Sequence, residues 1–114
     1  VSENEYTPAT YNDPALTRRL RDTLATWLGA ENIKSIEAEM GGEDFGRFGR
    51  TVEKVPVCLI RVGAVAPEIV AASQRTGTPL PSLHSGKFAP VPEPTLKTGI
   101  TAMTAAVIEL LKKP

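Results

Sequence analysis

The chain of 114 residues reads as an α/β fold on three observations. Two segments carry apolar residues at helix spacing, Pro14 to Leu28 and a final one from near Pro94. Two shorter segments, Lys34 to Glu39 and Val55 to Val62, have strand character, and stretches rich in glycine and proline separate the four. The predicted order is helix, strand, short helix, strand, long loop, helix, so that a few strands are packed by two long helices. A chain of this length buries roughly 65% of its unfolded surface, enough for one modest core. It is one domain or part of one.

Residues 1–13 are polar and extended, with Tyr6, Pro8, Tyr11 and Pro14 favouring strand or polyproline backbone. They read as a connector arriving from a preceding domain, with residues 14–114 as the folded part. In the first helix Asn12 or Asp13 can accept from the free N–H groups of the first turn, Pro14 sits where its missing N–H costs nothing, and Gly29 ends the helix. Leu16, Leu20, Leu24, Trp27 and Leu28 form one stripe, and Arg18, Arg19, Arg21 and Asp22 face solvent.

The strand at 34–39 alternates Ile36, Ala38 and Met40 with Ser35, Glu37 and Glu39 and delivers the chain to a Gly41-Gly42 turn. A short helix is expected over Asp44 to Phe48. The strand at 55–62 is almost unbroken in apolar character, which predicts burial on both faces. Residues 63–82 read mostly as loop around a helical turn at Pro67 to Ser73. In the last helix Leu96, Ile100, Met103, Val107, Leu110 and Leu111 form the apolar face, and Lys112 and Lys113 suit the negative end of its dipole.

Thirteen cationic and thirteen anionic side chains balance, so no global field draws the chain to nucleic acid or to an anionic membrane. The repeat Phe45-Gly46-Arg47, Phe48-Gly49-Arg50 interleaves aromatic and cationic groups but is too short to track a nucleic-acid strand. The longest apolar run, Val55 to Ile60, is broken by Pro56 and falls far below the ~18 residues of a membrane span, so a soluble chain is expected. Cys58 is the single cysteine; it excludes an internal disulfide, leaves the compartment open, and reads as a buried inert thiol.

The residues that can carry chemistry lie in two short polar segments, Met40-Gly41-Gly42-Glu43-Asp44-Phe45 and Leu83-His84-Ser85-Gly86-Lys87-Phe88. Gly41 and Gly42 allow a close approach of backbone to ligand, and Glu43 or Asp44 can cap the following helix. His84, the only histidine, sits between a loop and small residues, where an imidazole can be presented to a cleft.

In their order, with a long helix after them, these segments resemble the last portion of the two-metal amidohydrolases and peptidases. That family includes hippurate hydrolases, N-acyl-amino-acid amidohydrolases and auxin-conjugate hydrolases. There a Met-Gly-(Ser/Gly)-Glu-Asp-Phe segment precedes a Leu-His-Ser segment. The resemblance implies the carboxy-terminal part of a zinc-peptidase-like catalytic domain. It implies His84 as a ligand to one of two divalent ions, zinc or manganese, with Gly41, Gly42 and Glu43 lining the pocket of an N-acyl amino acid or peptide substrate. No catalytic residue falls in these 114. The family's remaining ligands, its glutamate base and its inserted lid domain belong to an amino-terminal part, so the segment by itself is expected to be inactive. Gly86 stands where the family commonly has proline, and the loop from Ala64 to Ser82 is long.

An apolar strand without its upstream neighbours also predicts a homo-oligomer, formed by strand addition or by exchange of the Val1 to Asp13 arm. The competing reading is a stand-alone α/β interaction module in which the glycines, Glu43 and His84 are structural.

Overall fold

Asp13 sets the start of helix α1, Pro14–Leu28, in a computed structural model that describes residues 6–113. The predicted connector is therefore seen only from Tyr6 onward, and its residues 1–5 lie outside the described part. The Asp13 carboxylate accepts from Leu16 N at 2.8 Å and the Asp13 carbonyl accepts from Thr17 N at 2.8 Å. Gly29 ends α1 at φ +90°, a backbone setting that costs a residue with a Cβ strain, and its N–H returns to the Ala25 carbonyl at 3.0 Å. A short 3-10 turn, Ala30–Asn32, follows.

The expected sheet is absent: no strand is formed among the described residues, and the α/β assignment is corrected to an all-helical one. Neither Lys34 to Glu39 nor Val55 to Val62 belongs to a regular element. A strand exists only through a ladder with a neighbour, and these segments find none. What 55–62 finds is a partial substitute. Asp13 N donates to Val57 O at 2.8 Å, and the Asn12 carboxamide makes two bonds to one residue, donating from Nδ2 to Leu59 O and accepting at Oδ1 from Leu59 N, both at 2.8 Å. One side chain thus satisfies both backbone groups that a ladder would have paired. Burial on both faces is corrected as well, because residues 57–60 are half-buried and Val55 is exposed. Cys58 is half-buried rather than buried, its Sγ accepting from Thr17 Oγ1 at 3.6 Å. Asn12→Ala should cost about 1–3 kcal/mol by orphaning both groups of Leu59. Urea unfolding checks it, and a change below ~0.5 kcal/mol would mean that water replaces the amide without loss.

The repeat 45–50 becomes structural through its period. Residues Asp44–Arg50 form a 3-10 helix, which has about three residues per turn, so a three-residue repeat stacks like on like. Phe45 and Phe48 meet with ring centroids 5.8 Å apart. Gly46 and Gly49 allow close approach: a Cβ on Gly46 would lie 3.0 Å from Ala9 O, and one on Gly49 3.0 Å from a Val57 methyl. Arg47 donates to Tyr6 O and lies over the Tyr6 ring at 5.5 Å, and Arg50 donates to Ala9 O at 3.3 Å. The repeat is a clamp on residues 6–10.

Helix α2 spans Pro67–Thr76, a full helix where only a turn was predicted. Its start and stop were written in Pro67 and Gly77, but none of its residues is buried, and the weak apolar period hid it. Helix α3 spans Pro92–Leu111 and buries a face other than the predicted one. Ala102, Ala105 and Ala106 are buried, and Leu24 of α1 packs with Ala102 and Ala105, flanked by Leu28, Ile33 and Ile60. Leu96, Ile100, Met103, Val107, Leu110 and Leu111 are exposed. Alanines let two backbones come close, so a leucine from α1 fills the space that larger side chains on α3 would have blocked. Arg19 ties the same pair of helices, donating from Nε to Glu109 Oε1 at 2.9 Å and from Nη2 to Glu109 O at 2.6 Å. Lys112 donates to the other Glu109 oxygen at 2.6 Å, and hydrogen bonds from Lys112 and then Arg19 hold the Glu109 carboxyl below the usual carboxylate range.

The chain divides into two compact units, Val1–Ile60 with Ala102–Pro114, and Arg61–Thr101. The first holds α1, both 3-10 segments and the alanine-leucine core. The second holds α2 and the loop after it, closed on itself by Val91 N donating to Ala64 O at 2.8 Å.

Candidate functional site

Gly41 and Gly42 lie in the first unit at the end of an irregular stretch, exposed, with open space where a Cβ would stand on either. Nothing in the packing requires a glycine at these two positions. Glu43 is the cap of the 3-10 helix: in extended backbone, φ −150°, its Oε1 accepts from Phe45 N at 3.0 Å. Of the two carboxylates the sequence offered for capping, Glu43 performs it, and Asp44 is the first helical residue. A carboxylate at this end also complements the partial positive charge of the free N–H groups. Glu43 remains exposed, so its cap is made in contact with water.

His84 lies in the second unit within a tight turn, which a second turn follows. Ser85 N donates to Ser82 O and Phe88 N to Ser85 O, each at 3.0 Å, while Ser85 Oγ accepts from Lys87 N at 3.1 Å. Small residues after His84 fold the backbone back on itself and leave the imidazole exposed. The predicted site residues therefore fall into two groups, Gly41, Gly42 and Glu43 in one unit and His84 in the other.

A zinc site takes three or four protein ligands. Among the described residues no group of three His, Cys, Asp or Glu side chains is disposed to hold a metal ion. His84 is one donor, and the described residues do not make a metal centre by themselves. The chain alone should accordingly bind divalent zinc weakly through His84. Calorimetry checks this, and a sub-micromolar dissociation constant for the monomer would overturn it.

A groove of about 370 Å³ in the first unit lies elsewhere. Gly46, Gly49, Val57, Arg50 and Lys54 are among its lining, and none of the four predicted site residues is. The clamp beside it, in which Arg47 and Arg50 hold residues 6–10, was not anticipated from the sequence. Its signal was the period of three, which matches the three residues per turn of a 3-10 helix. Among the described residues no helix is long and apolar enough to cross a membrane. No protein-family model matches the chain, and no solved structure matches it.

Proposed function

We propose that this chain is the carboxy-terminal segment of a metal-dependent amidohydrolase whose complete form cleaves the amide bond of N-acyl amino acids or related peptides. One observation carries the reading: Met40-Gly41-Gly42-Glu43-Asp44-Phe45, then Leu83-His84-Ser85, then a long helix, in that order. In this reading His84 supplies one neutral imidazole to a two-metal site, of zinc or manganese, that residues outside the segment complete. Gly41, Gly42 and Glu43 contribute to the substrate pocket. The exposure of all four, and the open space around the two glycines, support it, since groups that serve a site completed by other residues must be accessible before completion. Alone, the segment is inactive, for want of the other ligands and the base.

A second reading, a stand-alone interaction module, is favoured by the all-helical fold and by the structural use of Glu43 as a cap. The coding sequence upstream of Val1 discriminates the two. A continuous reading frame with a His-x-Asp metal motif and a Glu-Glu pair, whose product releases the free amino acid from N-acyl amino acids, is the expected result. A start codon next to Val1 would overturn the enzyme reading.

A further inference from the structure

The groove beside the clamp carries an unmatched charge. Arg50, Lys54 and Asp13 are the charged residues of its lining, so positive charge is in excess by one. The Asp13 carboxylate is committed to the Leu16 N–H that it caps. Arg50 gives one N–H to Ala9 O and keeps its other donors for the groove. Glu53, beside Lys54 in the chain, is turned to its own backbone N–H and to the Thr51 hydroxyl, which hold its carboxyl below the usual carboxylate range. Among the described residues no carboxylate pairs with Lys54. We infer that this groove binds a small organic monocarboxylate, with its charged end on Arg50 and Lys54 and its apolar body against Val55, Pro56 and Val57.

Three features select that ligand. Lys54 stands at φ +48°, the only positive value at a residue other than glycine among the described residues. A residue with a Cβ loses stability there that glycine would keep, and backbone strain of this kind collects at ligand sites, so an ammonium is held at this position against the preference of its backbone. The second feature is the size of the excess. One positive charge is matched by a monoanion, whereas a phosphate dianion would leave the groove negative. A guanidinium also fits a carboxylate through two parallel hydrogen bonds. The third is the lining at 55–57, which removes an apolar body from water and offers an inorganic anion nothing. About 370 Å³ lies at the small end of ligand sites and suits a compact acid. The whole lining belongs to one unit and includes neither Glu43 nor His84, so the inference does not rest on the enzymatic reading.

Amide-resolved NMR titration of the full chain with phenylacetate tests it. Saturable shifts at Gly46, Gly49, Lys54 and Val57 are expected, with a dissociation constant of about 1 mM or below. Phenylacetamide has the same shape without the charge and should bind at least about tenfold more weakly, as should inorganic phosphate. Lys54→Gly should raise the dissociation constant about fivefold or more while raising the melting temperature by about 3 °C, because it removes the cation and the strain together. Lys54→Gln removes the charge and keeps the Cβ; it should weaken binding to the same extent with the melting temperature within about 1 °C of wild type. Absence of saturable shifts at these amides would overturn the inference. So would phenylacetamide or phosphate binding as tightly as phenylacetate, or wild-type affinity in both Lys54 variants.

Discussion

In the proposed amidohydrolase, changing His84 to Ala should lower kcat by about 100-fold or more, because on that reading the metal loses one terminal ligand and what is bound there is disturbed. The fold should hardly register the change. His84 is exposed in a turn built from backbone and Ser85 hydrogen bonds, none of which uses the imidazole. Activity, metal content and melting temperature measured together separate the outcomes. Low activity and reduced metal at unchanged stability assign His84 to the metal; near-wild-type kcat with full metal content would reduce it to a turn residue. Loss of stability without loss of metal would assign it to the fold.

The second large effect belongs to the core. Leu24→Ala should destabilise the chain by about 3 kcal/mol, the usual cost of emptying a well-packed leucine site. Leu24 is packed against Ala102 and fully buried Ala105, and alanines have no side-chain atoms to move into the vacated volume. For a domain of this size such a loss lowers the melting temperature by about 10 °C or more, a large share of the stability of a small core. Leu83→Ala, at an exposed loop position, should change stability by less than about 0.5 kcal/mol. Equal effects of the two substitutions in thermal unfolding would mean that the alanine-leucine contact is not the centre of the core.

The two substitutions also mark where sequence reasoning reached and where it stopped. Helix α1 was legible in its limits and its buried leucines because those signals are local: a cap at Asn12 or Asp13, Pro14 in the first turn, Leu20 and Leu24, and Gly29 at the end; Trp27, read into the same stripe, is exposed. The last helix was legible for the same reason, to within two residues at its start. Gly41, Gly42, Glu43 and His84 could be singled out as chemistry-bearing because their residue types and order are themselves sequence properties. Their use is another matter. The Glu43 bond to Phe45 N is local, and a cap at that position was among the readings.

What failed were the statements that depend on partners. A run such as Val55 to Val62 has strand propensity, but propensity becomes a strand only when a second segment supplies a ladder. Here the nearest supply is one Asp13 N–H and the Asn12 side chain, 47 residues away from Leu59, and no local pattern announces that bond. The face of α3 that enters the core was likewise decided in three dimensions. Periodicity pointed to the large apolar stripe, yet Leu24 packs on the alanines, because small residues permit close approach of the two helices and the large stripe does not. By itself the sequence determined the limits of α1, those of α3 to within two residues, and the polar segments, all governed by contacts within a few residues. Tertiary structure alone decided that no strand forms among the described residues and which face of α3 is buried, since each depends on groups distant in the chain arriving at the same place.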